Sequence, residues 1–506
     1  MDATQSELPI EKIPTGISGL DHITDGGLPS GRSTLLAGTA GSAKTVLALQ
    51  FLLEGTARGE HGVFVTFEES PEDLRRNVLG FGWDVAALEA ERKFCFVDAS
   101  QRPGEERIEA GVYDFGALVA RIESAVRKVD ARRVSLDSIG AVFAQFQDSA
   151  IVRRELHRIS AALKQLGVTA LITSERNDEY GEISRHGMEE FVTDNVMVVR
   201  NVLEDEKRRR TIEVLKLRGT NHHKGEYPFS INDEGVVVIP LSAIQLKQKS
   251  TTLRITSGNE ALDAMCGGGF FRDSIVLVSG ATGTGKTLMV TAFTAGGIEQ
   301  GERCLTFCFE ESREQFFRNA AGWGFDFEEL ERNGLLKVVT DYPEIMSLED
   351  HLIRMKRIIA EFKPNRVAVD SLSALERVSN NRGFREFVIG LTAYIKHGEM
   401  AGLFTSTTPT LLGGTSVTEA HISTICDSIV LLRYVEIYGE MRRGLTVLKM
   451  RGSTHDKEIR EFTIDGSGMH LGKSFRNISG ILAGNPVQLA MPPAEIDHLR
   501  RMFDEE

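Results

Sequence analysis

At 506 residues the chain exceeds one ordinary core, and its length predicts two to four domains. With 41% apolar and 26% charged residues it reads as globular, which excludes wholesale disorder. A net charge of −13 sets the surface as a whole against nucleic acid and anionic membranes.

The opening stretch MDATQSELPIEK has no apolar core of signal-peptide length, and no later run reaches the roughly 18 apolar residues of a spanning helix. Five cysteines (Cys95, Cys266, Cys304, Cys308, Cys426) include no CxxC pair. A reducing cytoplasm fits them better than a disulfide framework or a zinc site.

STLLAG (33–38) reads as a buried strand, followed by the loop GTAGSAKT and a helix that begins at Lys44. The loop nearly spells G-x-x-x-x-G-K-[ST], but Ala43 replaces the second glycine. Were position 43 to need positive φ, its Cβ would cost on the order of 1–2 kcal/mol, which retunes a phosphate site without abolishing it. GVFVTFEE is the next strand and ends in Glu68-Glu69; ARRVSLDS is another and carries Asp137. KRRR (207–210) reads as a charged strand start, not a nucleic-acid patch, and KLRG follows with Lys216, Leu217 and Arg218.

The same order then recurs. SGATGTGKT (279–287) is a complete phosphate-loop pattern, and Lys286 lies 242 residues beyond Lys44. Glu310-Glu311 repeat Glu68-Glu69 at the same offset, and RN at 318–319 repeats RN at 76–77. Farther on the offset is 233: Asp370 against Asp137, Arg433 against Arg200, and Lys449-Met450-Arg451 against Lys216-Leu217-Arg218. Two constant offsets separated by one indel indicate a tandem duplication of whole domains. The expected division is 1–245, a linker at 246–255, a second domain at 256–490 and a tail at 491–506. Alternating strand and helix patterns predict, for each domain, a mainly parallel, doubly wound α/β sheet with flanking helices, whose ligand sits at the carboxyl ends of the strands.

The chemistry follows from the residue types. Backbone N–H groups of the loop and helix start surround a polyphosphate, here at Gly38, Gly41, Ser42, Ala43, Lys44 and Thr45, and at Thr282, Gly283, Thr284, Gly285, Lys286 and Thr287. ATP and Mg²⁺ are therefore the expected cofactors. Thr45 and Thr287 offer hydroxyls to Mg²⁺, and Asp137 and Asp370 steady its water shell. Glu68 and Glu310, supported by Glu69 and Glu311, are candidate general bases 24 residues after the loop lysines (68 − 44 and 310 − 286). The cations Lys216, Arg218, Lys449 and Arg451 suit completion of a neighbouring subunit's site.

The two copies differ at one telling place. Glu190 and Phe191 of the first align with Ser423 and Thr424 of the second, so only the second offers hydroxyls that could accept phosphate.

Over essentially its full length the chain resembles the KaiC family of clock ATPases and autokinases. The stretches that carry the likeness include GGLPSGRSTLLAGTAGSAKT, LKLRGTNHHKGEYPF, MCGGGFFRDSI, FEESREQ, HISTICDSI and KMRGSTHDKEIREF. The resemblance implies a double-ring homohexamer of RecA-like domains with ATP at the subunit interfaces. It implies a hydrolysing first ring, and a second ring that phosphorylates and dephosphorylates Ser423 and Thr424. It also points to Thr418, with Glu419 beside it, as a further phosphosite. A KaiB-like partner is implied for the first ring. SGILAGNPVQL (479–489) resembles the family's regulatory loop, but MPPAEIDHLRRMFDEE departs from the cyanobacterial ending, which puts dependence on a KaiA-like protein in question. The rival readings are a DNA-dependent ring ATPase, which would need basic loops, and an ATP-gated scaffold, which would have no use for two glutamate pairs.

Overall fold

The computed structural model describes residues 10–100, 115–143, 149–184, 189–204, 207–240, 250–408, 422–476, 478–482 and 487–488. Thr418, Glu419, residues 246–249 and the tail 491–506 lie outside these. The chain divides into two compact units, Met1–Ala243 and Ile244–Glu506. No helix among the described residues is long and apolar enough to cross a membrane.

In the first unit the strands of the main sheet are β1 (Ser33–Gly38), β2 (His61–Thr66), β3 (Phe94–Asp98), β4 (Ala131–Asp137), β5 (Thr169–Glu175) and β6 (Asn195–Glu204). They continue as β7 (Lys207–Leu217), β8 (Glu226–Asn232) and β9 (Gly235–Val238). They form one nine-stranded sheet in the order β9-β8-β7-β6-β1-β5-β4-β2-β3. From β6 to β3 every pairing is parallel, and β7, β8 and β9 continue antiparallel. Val63, Val65, Leu136 and Ile172 are buried on one face and Leu36, Phe64 and Met197 on the other, as parallel strands covered on both sides require. Helix α1 (Lys44–Ala57) packs its Leu47, Phe51 and Leu52 into the core on the Leu36 face.

The second unit repeats this plan. Strands β10 (Ile275–Gly280), β11 (Cys304–Cys308), β12 (Leu336–Thr340), β13 (Arg366–Asp370) and β14 (Ala401–Thr407) are parallel with β15 (Ser428–Ile437). The antiparallel extension is β16 (Glu440–Met450), β17 (Arg460–Asp465) and β18 (Gly468–Ser474). The order is β12-β11-β13-β14-β10-β15-β16-β17-β18. The fold is therefore two tandem α/β domains, each mostly parallel, as the sequence pattern predicts.

Each unit also contains a buried arginine clamp with no sequence signature. Arg133, fully buried, ion-pairs with Glu60 at 2.6 Å and donates to the Pro14 and Phe51 carbonyls at 2.8 and 2.9 Å. Arg366 does the same with Glu302 and with the Thr256 and Phe293 carbonyls at 2.7 and 2.9 Å. Each guanidinium ties the segment ahead of β1 or β10 to the helix after the loop, and its charge is balanced inside the core.

Candidate nucleotide site

The loop between β1 and α1 turns on two residues with left-handed backbone. Gly41 has φ +72° and Ala43 has φ +72°; in the second unit Gly283 and Gly285 take these places at +79° and +106°. Position 43 does need positive φ, so its Cβ sits in a conformation that glycine adopts without penalty. Gly38 is fixed by space: a Cβ there would lie 2.4 Å from Ser42 Oγ and 2.5 Å from a Val199 methyl. Ser42 and Thr284 each bond back across the loop, to the Thr39 and Ala281 carbonyls, at 2.7 Å. Thr282 is exposed on the loop's surface.

The lysines fold over these loops. Lys44 Nζ donates to the Gly38 and Thr39 carbonyls, both at 2.9 Å, and Lys286 Nζ to the Gly280 and Ala281 carbonyls at 2.9 and 3.0 Å. Burial lowers both ammonium pKa values, and nearby carboxylates oppose it: Asp137, Glu175 and Glu68 around Lys44, Asp370 and Glu310 around Lys286. Lysine, aspartate and glutamate thus converge at the carboxyl edge of each sheet.

Thr45 Oγ1 donates to Asp137 Oδ2 at 2.6 Å, and Thr287 bonds Asp370 likewise. Hydroxyl and carboxylate oxygens side by side at the loop's mouth are the hard donors that Mg²⁺ takes, alongside phosphate and water. The described residues contain no group of three His, Cys, Asp or Glu side chains that could hold an ion alone. Two threonines missed by sequence reasoning complete this layer: Thr173 on β5 donates to the second oxygen of Asp137, and Thr405 on β14 donates to Asp370 Oδ1. Burial raises the Asp370 pKa, and its bonds from Thr405 and Thr287 oppose the rise. The peptide after each aspartate, Asp137–Ser138 and Asp370–Ser371, is cis.

Strand β2 ends at Thr66, so Glu68 and Glu69 stand just past it in a bend and are exposed. Desolvation first, then Glu175 and Asp137, raises the Glu68 carboxyl above the ordinary range. Desolvation also raises Glu69 and Glu311. Their orienting partners are Asn77, 3.2 Å from Glu69, and Asn319, 3.1 Å from Glu311. These are the asparagines of the repeated RN pairs, which the sequence shows only as markers of duplication. Glu310 differs from Glu68 in being held by Arg377, both of whose terminal nitrogens lie 3.2 Å from Oε1.

The second group of candidate residues sits elsewhere. Lys216 Nζ donates to the Glu190 and Thr193 carbonyls at 3.1 and 2.7 Å, and Arg218 Nη1 approaches Asp194 at 3.7 Å. Lys449 Nζ donates to the Ser423 and Cys426 carbonyls at 2.9 and 2.8 Å, and Arg451 Nη2 to the Thr424 carbonyl at 2.7 Å. Cation pair and hydroxyl pair, proposed separately from sequence, are one cluster. Leu217 and Met450, between the cations, turn into the core, so only their backbone faces outward.

This cluster lies at the opposite end of the sheet from its own loop. In β10 and β15, Val276 pairs with Ser428 while Gly280 pairs with Leu432, and Lys449 pairs with Ile429. Four residues at about 3.3 Å each put roughly 13 Å of strand between the loop and the start of β15. The hydroxyls precede β15 still farther, in a short turn of helix at Ile422–Thr424. The first unit repeats this with Thr34 against Asn195 and Gly38 against Val199.

A family model for the KaiC ATPase matches this chain twice, over residues 13–243 and 255–474. The chain is 67% identical over 498 residues to the circadian clock protein KaiC3 of a Synechocystis strain, covering 98% of both. It is 55% identical over 488 residues to the circadian clock oscillator protein KaiC of Thermostichus vulcanus, covering 96% of this chain and 94% of that one. It is 54% identical over 483 residues to KaiC 1 of Synechocystis, covering 95% and 93%.

Proposed function

The chain belongs to the KaiC family of ATPases, and from that premise we propose that it is a circadian clock or timer component whose two domains use ATP differently. The first domain hydrolyses ATP. The second also passes the γ-phosphate to Thr424 and Ser423 of a neighbouring copy, and later removes it.

The observation that carries this reading is the opposed placement of loop and acceptor. Reacting atoms must come within about 3–3.5 Å, whereas these hydroxyls stand beyond the far end of strands that run past their own loop. A second copy whose cluster meets the first copy's loop completes both sites, and repetition of that contact closes a ring. We take the ring to be a hexamer, with one layer from each domain, as the family resemblance implies. Lys449 and Arg451, with Lys216 and Arg218 in the other layer, then face a neighbour's phosphates. Glu310 takes the hydroxyl proton as the oxygen bonds phosphorus, and the bond from phosphorus to the bridging oxygen breaks to release ADP. Mg²⁺, held through Thr45 and Asp137 or Thr287 and Asp370, would neutralise charge on the phosphates. A KaiB-like protein is the expected partner of the first ring; the ending after residue 490 supports no assignment of a KaiA-like one.

The test is incubation with Mg-ATP and mapping of phosphate by mass spectrometry. A mixture tests the direction of transfer: a Lys286→Ala copy, unable to hold ATP in its second domain, is combined with a Ser423→Ala/Thr424→Ala copy. Phosphate should appear on the former. No phosphate on Ser423 or Thr424 of the unaltered protein under turnover would overturn the kinase reading. Stimulation of ATP turnover by single-stranded DNA would favour a DNA-dependent ring ATPase instead.

A further inference from the structure

Beneath the Ser423–Thr424 turn the two domains differ in how one partly buried carboxylate is paired. Asp427 is 17% exposed and accepts the Ile275 backbone N–H at 2.8 Å. Its carboxylate is also bound by Lys396, at 2.9 Å to Oδ1 and 2.7 Å to Oδ2. Lys396, 15% exposed, is on the helix α2 (Asn381–His397). Arg451 Nη1 stands 3.6 Å from the same carboxylate. The first domain also has a lysine at this place, Lys164, but it is exposed and makes no ion pair with Asp194 among the described residues. There Asp194 has Arg218, at 3.7 Å, as its only ionic partner among the described residues.

The consequence is electrostatic. In the first domain Arg218 is the counter-ion of a partly buried carboxylate, so moving it onto a phosphate would strand Asp194. In the second domain Lys396 already neutralises Asp427. Arg451, 53% exposed and bonded to the Thr424 carbonyl, is then available to a second anion beside the hydroxyls. Lys396 also adds to the positive field there, and it is among the cations that lower the Lys449 pKa.

We propose that Lys396 is a positioning residue of the second domain: by neutralising Asp427 it leaves Arg451 free to bind a phosphoryl group at the Ser423–Thr424 edge. This rests on the reading that this edge meets a neighbour's ATP. It adds a residue outside both the loop and the K-x-R motif, and a reason why this edge handles phosphate differently from its counterpart.

The experiment uses the full chain with Mg-ATP in a Glu68→Gln/Glu69→Gln background, so that turnover reports the second domain. Lys396→Leu, which removes the ammonium from Asp427, should raise KM for ATP about tenfold with little change in kcat. It should also lower phosphate on Ser423 and Thr424 by a similar factor. Lys396→Arg should behave as the parent. Adding Asp427→Asn to Lys396→Leu removes the stranded charge and should restore KM to within about threefold. A merely structural lysine would not be rescued by removing the carboxylate, and its loss would appear as a lowered Tm. An unchanged KM in Lys396→Leu, or a well-folded double variant that stays impaired, would overturn the proposal. Absence of phosphate on the parent would instead sink the kinase reading, and the KM arm would still decide the role of Lys396.

Discussion

The substituted glycine of the first loop gives a sharp comparison, because exchanging residues at positions 43 and 285 should have unequal effects. Ala43 has φ +72° and ψ +22°, and its methyl packs against the first core. Ala43→Gly relieves about 1–2 kcal/mol of left-handed strain. It loses up to about 0.8 kcal/mol of buried methyl and about 0.4–1 kcal/mol through a freer unfolded chain. The sum runs from about 0.8 kcal/mol of loss to about 1.6 kcal/mol of gain. At position 285, φ is +106°, and a Cβ would lie 2.9 Å from Ile464 Cδ1 and 3.3 Å from Met469 Cε. The first domain has the smaller Val236 where Met469 stands (469 − 233). Gly285→Ala therefore adds about 1–3 kcal/mol of overpacking to the backbone strain, for a net loss of about 2–4 kcal/mol. For a domain of this size that is roughly 5–15 °C in Tm. Calorimetry of the full chain, with and without ATP, measures both. A Gly285→Ala protein as stable as the parent, or an Ala43→Gly protein destabilised by more than about 2 kcal/mol, would refute this account.

Further outcomes follow from the carboxylates and the clamp. A general base works deprotonated, so with Glu68 in the proposed role its raised pKa should put the acid limb of first-domain turnover at higher pH than an ordinary glutamate would. Glu175→Gln removes a like charge and should move that limb to lower pH; a limb that stays in place would show that Glu175 does not act on the base. Glu310→Gln should slow phosphorylation of Thr424 by about 10²-fold or more while ATP-dependent assembly through the first domain persists; native mass spectrometry and phosphopeptide mapping read the two. Arg366→Met leaves Glu302 to Arg272 alone and the Thr256 and Phe293 carbonyls without their donor, and should cost about 1–3 kcal/mol, little of it recovered in Arg366→Met/Glu302→Gln, which strands Arg272. Denaturant unfolding of the single and double variants checks this.

The sequence made the repeated plan legible wherever a local pattern carried it. STLLAG, the phosphate loops and ARRVSLDS fall where β1, the loops and β4 lie, because buried parallel strands read as apolar runs and the loops have a fixed spelling. Residues whose meaning depends on distant partners stayed hidden. Thr173 and Thr405 look like any strand threonine until the sheet sets them beside Asp137 and Asp370. Nothing local to Arg133 or Arg366 announces Glu60 or Glu302, so the sequence marks neither arginine as a clamp. The asparagines of the RN pairs were visible as repeats, yet their service to Glu69 and Glu311 needed the helix after the bend to fold back.

Strand direction gives this protein its sense of orientation. In a parallel sheet every loop that follows a strand opens at one end, so the phosphate loop, its aspartate and its glutamates gather at the carboxyl edge. Segments that enter the strands must gather at the other edge, and the turn before β15 does so with its two hydroxyls. The antiparallel return of β16 delivers Lys449 and Arg451 to that same edge. Each domain is therefore a body with an ATP-handling end and a cationic end that its own strands hold apart. A contact joining unlike ends is heterologous: it cannot be satisfied by a two-fold pair and must propagate until it closes. On this reading the ring is not an addition to the enzyme. It is the smallest assembly in which no phosphate loop lacks its cations and no acceptor hydroxyl lacks its donor.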